Sequence, residues 1–319
     1  MKTDRMVRLA AFAVAGAFWA VGEYAYSMSL KPSRHSKDNP ELFSNPTRES
    51  RQLLIEARGW LTAQPGYYET SNTSRDGLPL FARVLSSPAH RWVICVHGYG
   101  DTSLSMALYA RHYREAGWNV LLPDLRGHGR SGGDYVGMGY MDRLDILDWV
   151  NWLISFDPQA EIVLHGISMG AWAVLMAASE KGLPESVKAV VSDSAFTSME
   201  AMLTHLTDHG KKLNLPVSLP FPFILYALDA VARVRAGYSV LKVSPVKWIV
   251  NCGVPVLLIH GTDDHYAPFR MLGELFTAAP FPKRQLLVEG ARHVESVTTN
   301  PTLYWGTVDS FLAPYLINE

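Results

Sequence analysis

The sequence predicts an α/β fold: a mostly parallel central sheet flanked by helices, with a small helical cap inserted late in the chain. Three observations carry this. From residue 91 onward, runs that are apolar along their whole length alternate with stretches of helical spacing, the pattern of a parallel sheet buried on both faces. Three of these runs, or their first residues beyond, close on an apolar-His-Gly ending, at His97, His165 and His260. The stretch 197–250 breaks the alternation: it is rich in apolar and aromatic residues ("LPFPFILYALDAV") and in proline, as expected of a cap over the C-terminal edge of the strands, where such sheets bind ligands.

The N-terminus reads as a targeting segment. Lys2, Arg5 and Arg8 precede "LAAFAVAGAFWAVG" (9–22), a 14-residue run without charge that ends at Glu23. A basic stretch followed by a short apolar one is the pattern of an export signal, and the run is shorter than the ~20 residues of a usual spanning helix. "AYS" (25–27) offers the small residues a signal peptidase reads, with cleavage after Ser27. The alternative is an uncleaved anchor that continues through "EYAYSMSL". Residues 1–27 are thus a signal peptide or membrane anchor, 28–66 a linker and N-terminal helix, and 67–319 the main domain, with the cap at about 197–250.

Within the linker region, 31–46 is polar and proline-rich, and 47–63 has helical spacing through Leu53, Leu54, Ala57 and Trp60. Two strands flank the turn Asp76-Gly77. Then come a strand at "RWVICVHG" (91–98), a helix over 103–117 closed by Gly117, and a strand over 119–124. A helix over 141–156, a strand over 161–166, a helix at "MGAWAVLMAASEKG" (169–182) and a strand over 187–195 follow. Beyond the cap lie a strand at 254–261, a helix at "PFRMLGELFTAA", a strand at "RQLLVEGA" and a final helix over 301–316.

Composition narrows the function. With 319 residues, 48% of them hydrophobic, the chain can bury a large core. A net charge of −1 supplies no field to recruit nucleic acid or an anionic membrane. Two cysteines are no disulfide framework; Cys95 lies inside an apolar run and reads as an inert core thiol, and Cys252 lies near a strand start.

"GISMG" (166–170) matches G-x-S-x-G between a strand and a helix. Such a serine sits on a tight turn that pushes its hydroxyl into the cleft, and side chains at the flanking positions would clash, so glycine stands there. Chance produces the pattern about 0.1 times in a chain of this length, and rarely in that context. Ser168 is therefore the candidate nucleophile. An oxyanion needs two preorganised amides: one is the N–H of Met169, the other comes from "HGYGD" (97–101), where Tyr99 N–H is the choice. The acid and base should follow the serine in the chain. "HGTDDHYAP" (260–268) offers Asp263 and Asp264, and "EGARHVES" (289–296) offers His293. "GHGRSG" (127–132) formally matches a dinucleotide fingerprint, but loop rather than helix follows it. No His/Cys/Asp cluster has metal-ligand spacing, including "HGTDDH".

These motifs carry a family resemblance over about 67–316. "VHGYGD", "DLRGHGRSGG", "LHGISMG", "SDSAFTS", "SPVKWI", "PVLLIHGTDDHYAP" and "GARH" occur in an order and spacing that resemble α/β-hydrolase-fold serine hydrolases, most of all exported or membrane-anchored bacterial esterase-like members with a small cap. The resemblance implies Asp264 as the acid and His293 as the base. Ala267 stands where that family usually has valine. Some relatives carry the acid at the strand end occupied here by Asp193. Asp124, Arg126 and His128 resemble the family's structural loop behind the active site. The expectation is a serine hydrolase cleaving carboxylic esters of a small-molecule acyl substrate through an acyl-enzyme, with no cofactor, no metal and no nucleic-acid partner. It would be exported, or associated with the cytoplasmic membrane through the N-terminal segment, with the catalytic domain outside. Acyl transfer, thioester or peptide cleavage on the same triad are the alternatives, and a non-catalytic binding protein the more distant one. His97, His165 and His260 are expected to pack and hydrogen-bond at the floor of the site, not to serve as the base.

Overall fold

Strands with no polar face must be covered twice, and the sheet is. The computed structural model describes residues 2–32, 48–208 and 219–316; the expected linker beyond Pro32 and the cap stretch 209–218 lie outside the described residues. Among the described residues eight strands form one sheet: β1 (Tyr67–Thr73), β2 (Pro79–Leu85), β3 (Arg91–Val96), β4 (Asn119–Asp124), β5 (Glu161–Ile167), β6 (Val187–Asp193), β7 (Val256–Gly261) and β8 (Lys283–Val288). Their order is β1-β2-β4-β3-β5-β6-β7-β8. β1, β2 and β4 pair antiparallel, and every pairing from β4 through β8 is parallel.

Alternate residues of each strand enter opposite cores. Trp92, Ile94 and Val96 of β3 join α4 (Asp142–Phe156), α5 (Met169–Ala177) and α9 (Arg270–Ala278) on one face. Val93 and Cys95 join α2 (Arg48–Thr62), α3 (Ala107–Glu115) and α11 (Pro301–Leu312) on the other. Between β6 and β7 the chain forms α6 (Met199–Asp208), α7 (Phe221–Arg235) and the short α8 (Pro245–Trp248), and α10 (Ser296–Thr299) precedes α11.

Three helices are shorter than the spacing predicts, and the one expected over 169–182 ends at Ala177. Over 103–117, a 3-10 turn occupies Ser103–Met106 before α3 begins. The cause is Asp124 at the end of β4, whose Oδ1 accepts both the Ser103 amide (2.7 Å) and hydroxyl (2.5 Å) and holds the first turn tight. The final helix stops at Leu312, and a 3-10 turn with Pro314 follows, since proline removes the amide a continuing helix needs.

The N-terminal helix α1 (Lys2–Ser29) runs 28 residues. It is the one described helix long and apolar enough to cross a membrane, over Arg5–Ser29. Residues 5–17 are exposed. Beyond them the helix docks on α7. Phe18 meets Phe223 edge-on at 5.2 Å, a Cβ on Gly22 would run into the Ala227 carbonyl and Val231, and Glu23 pairs with Arg235 at 2.9 Å. Both numbers rise together, so the two helices run parallel. Ala25, Tyr26 and Leu30 are buried in the main core. A cut after Ser27 would fall inside this packed helix.

Candidate active site

Ser168 stands at the junction of β5 and α5 with φ 51° and ψ −118°, a conformation that costs a non-glycine residue strain. The flanking glycines have specific reasons to lack a side chain. A Cβ on Gly166 would strike the Gly170 carbonyl, and one on Gly170 would strike the carbonyls of Val96 and His97. The turn is pinned by the Ser168 amide, which donates to the Asp193 carbonyl at 2.9 Å. The serine hydroxyl is thereby presented beyond the strand ends. Met169 opens α5, so its N–H is one of the first-turn amides without a partner inside the helix.

The structure brings Ser168, His293 and Asp264 together, although 125 residues separate the first two. His293 Nδ1 lies 2.7 Å from Asp264 Oδ2, and His293 Nε2 lies 2.9 Å from Ser168 Oγ. An ionised carboxylate only accepts, so Nδ1 donates to Asp264 and Nε2 is left to accept from the serine hydroxyl. Asp264 also accepts the amides of Tyr266 (2.9 Å) and Ala267 (2.7 Å) on Oδ1. Burial alone would raise its pKa, but the electrostatic pull of His293 and the hydrogen bonds from His260 and His293 outweigh it, holding the carboxyl below the usual carboxylate range. Its neighbour Asp263 points to solvent. The rings of Tyr266 and Phe196 lie 4.9 Å and 6.0 Å from that of His293 and wall it in.

The loop after β3 lies against the nucleophile: a Cβ on Gly98 would be 3.3 Å from Ser168 Cβ. Histidines hold this loop. His97 Nδ1 donates to the Gly98 carbonyl (2.7 Å), and its Nε2 accepts the Leu125 amide (3.0 Å). His128 Nε2 accepts the Gly100 amide at 3.0 Å while Nδ1 donates to the Arg126 carbonyl. Burial, then the nearby His97, lower the His128 pKa to about 3, so it stays neutral. His165 lies deeper, bracketed by the hydroxyls of Tyr113 (2.9 Å) and Tyr304 (3.0 Å). Burial, with a smaller contribution from His112, lowers its pKa to about 3. It faces away from Ser168 and makes no bond to it.

His260 does more than pack. Its Nε2 donates to the Ala267 carbonyl at 2.8 Å and lies 3.2 Å from Asp264 Oδ2. Asp264 thus sits between two histidines, a contact the sequence reading did not anticipate; the four-residue spacing from His260 to Asp264 was its available signal. A second surprise is the wall of the adjoining cavity. About 140 Å³ in volume, it reaches from Ser168 and Met169 past Tyr99 to Leu228 of α7, and Met28 and Ser29 of α1 line it. Those two residues follow an apolar run read as removable, and their signal was the absence of any helix breaker after Glu23.

The remaining candidates fall elsewhere. Asp193 is buried at the end of β6, where it accepts the Ser194 hydroxyl at 3.0 Å and makes no hydrogen bond to His293. "GHGRSG" is a tight turn wrapped on Asp124, whose Oδ2 accepts the Arg130 amide at 2.8 Å, and no helix opens on it. Arg126 behind it is locked between Asp145 (2.5 Å) and Asp76 (2.9 Å). Cys95 and Cys252 are buried and free; burial raises both thiols, Cys252 to about 11. Among the described residues no group of His, Cys, Asp or Glu side chains is arranged to hold a metal ion.

Comparison with known proteins places this geometry in context. A family model for the alpha/beta hydrolase fold matches residues 91–216. The chain is 30% identical over 221 residues to the YqkD protein of Bacillus subtilis, which covers 69% of this chain and 70% of that one. It is 27% identical over 235 residues to YfhR of Escherichia coli K12, covering 70% and 72%. Among solved structures, the Pyrococcus furiosus esterase Pf2001 superposes with a TM-score of 0.63 at 22% identity, over 79% of this chain and 92% of that one. The acylaminoacyl peptidase of Pyrococcus horikoshii superposes with a TM-score of 0.57 at 18% identity, over 79% and 42%. At such identities the structural likenesses speak to fold alone.

Proposed function

Because the chain belongs to the α/β-hydrolase-fold family, we propose that it is a serine hydrolase cleaving carboxylic esters through an acyl-enzyme on Ser168. One observation carries the reading: an unbroken line of hydrogen bonds from Ser168 through His293 to Asp264, with Ser168 in the wall of a cavity lined mainly by apolar side chains.

The steps follow from the positions. His293 Nε2 takes the Ser168 proton as Oγ attacks the acyl carbonyl. The oxyanion is held by the Met169 N–H and by Tyr99 N–H from the loop against Ser168. Asp264 stays ionised and stabilises the imidazolium through Nδ1. Collapse breaks the ester bond, and the departing alkoxide takes the proton from Nε2. Water then enters, gives a proton to Nε2 and attacks the acyl-enzyme, and the acid leaves as Ser168 recovers its proton. The apolar lining favours an acyl chain over the polar backbone of a peptide. We take α1 to be a retained anchor. Lys2, Arg5 and Arg8 then lie on the cytoplasmic side and the hydrolase domain outside.

Labelling with a fluorophosphonate tests the nucleophile. Wild type should label, while Ser168→Ala and His293→Ala should not, with turnover lower by on the order of 10⁴-fold or more. An unlabelled wild type removes the assignment. A series of p-nitrophenyl esters beside thioester and peptide substrates separates ester cleavage from its rivals; faster peptide cleavage would replace the esterase reading.

A further inference from the structure

We infer that the N-terminal helix completes the acyl cavity and that the enzyme draws its substrate, a long-chain acyl ester dissolved in the membrane, sideways from the lipid bilayer. This rests on the readings of Ser168 as nucleophile and α1 as anchor.

The first support is the wall itself. Met28 and Ser29, in the last turn of α1, face the same cavity as Ser168. They are tied there: the Tyr99 hydroxyl donates to the Ser29 carbonyl at 2.8 Å. The segment that enters the bilayer and the segment that touches the acyl group are therefore one rigid helix.

The second support is where polarity changes. α1 is free of charge from Leu9 to Gly22 and turns polar at Glu23; on α7 no charge stands from Phe221 to Leu228, Asp229 is buried against Ser239, and the first exposed charge is Arg233. The two helices run parallel, with Gly22 seated against Ala227 and Val231, so both changes fall at one level. The Glu23–Arg235 pair lies on the polar side of it. On the apolar side Phe18 and Phe223 pack together and Tyr226 is exposed. A charge pair sits at the headgroups and an uncharged helix surface in hydrocarbon, so this level marks the bilayer surface. The N-terminal tip of α7 is then immersed beside the anchor.

That level locates the cavity. Leu228 precedes Arg233 by five residues and Met28 follows Glu23 by five, which at 1.5 Å per residue puts one lining residue about 7.5 Å to the apolar side of the level and the other about as far to the polar side. The cavity thus straddles the boundary between hydrocarbon and headgroups, where the ester groups of lipids lie. An acyl chain that enters at this depth keeps its methylenes out of water, a transfer that would cost about 0.8 kcal/mol for each.

The test uses the full chain in phosphatidylcholine vesicles. 4-Methylumbelliferyl oleate is placed either in the same bilayer as the protein or in separate vesicles mixed with it, and 4-methylumbelliferyl butyrate serves as the water-borne ester. Oleate in the shared bilayer should be cleaved at least about tenfold faster than oleate in separate vesicles. Met28→Trp, which fills the cavity from the α1 side, should lower the oleate-to-butyrate ratio of kcat/KM by about tenfold. Equal rates in the two arrangements overturn the inference, as does an unchanged ratio in a Met28→Trp protein that still labels. Fluorophosphonate labelling of the same vesicles keeps the failures apart. Labelled protein without a shared-bilayer advantage sinks this inference and leaves the hydrolase reading standing, whereas unlabelled wild type sinks both.

Discussion

Two aspartates stand at the carboxyl ends of neighbouring strands, Asp193 on β6 and Asp264 just past β7, and both are buried. Their chemistry is opposite. Asp264 gathers two amides and two histidine rings and is held as a carboxylate below the usual range. Asp193 receives two hydroxyls, from Ser194 at 3.0 Å and Ser296 at 3.5 Å, and no amide. Burial dominates there and pushes its pKa up to about 6. Burial therefore does not decide which carboxylate can stabilise an imidazolium; the count and kind of donors do. Asp193 serves by other atoms. Its carbonyl fixes the Ser168 amide, and the adjacent Ser194 hydroxyl accepts the Val294 amide at 3.2 Å, bracing the loop that carries His293.

The contrast can be broken in order of effect. Asp264→Asn should lower kcat by about 10³–10⁴-fold, and Asp193→Asn by less than about tenfold; ester kinetics showing the reverse would make Asp193 the acid. Stability against pH is the second test. A carboxyl whose folded pKa is raised from 3.8 to about 6 binds more protons folded than unfolded. Wild type should therefore lose stability as pH rises from about 4 to 6, by about 3 kcal/mol at neutral pH. Denaturant melts of Asp193→Asn should lack that slope relative to wild type; parallel curves would refute it. Third, His165→Ala removes a buried partner from the hydroxyls of Tyr113 and Tyr304 and leaves a cavity, and should cost roughly 2–4 kcal/mol in such melts, while folded protein still labels at Ser168. Smallest is His260→Gln, which loosens Asp264: kcat should drop about tenfold and the pH–rate profile shift, with KM unchanged. A loss of stability without a shifted profile would reduce His260 to packing.

Much of this was legible beforehand because parallel strands are apolar on both faces and G-x-S-x-G is a steric necessity. Gly166 and Gly170 are glycines because backbone carbonyls occupy the space of their side chains. Which of two adjacent aspartates faces the histidine was not readable from local pattern alone, since the turn after Asp263 decides it. The 3-10 start at Ser103 depends on Asp124, 21 residues later. The part played by α1 depends on a contact between Tyr99 and Ser29 across 70 residues. Periodicity reports which face of an element is apolar, and long-range partners lie beyond its reach.

The bond between Tyr99 and Ser29 also bears on how the protein can be handled. A chain trimmed to start at α2 would not be the same enzyme made convenient. It would strip the seat of Gly22 from Ala227 and Val231, baring a sticky strip prone to self-association. It would also open one wall of the cavity and release the tether on the loop next to Ser168. Low activity in such a shortened protein would report the missing helix, not a poor catalyst, and assays belong with a protein that keeps α1.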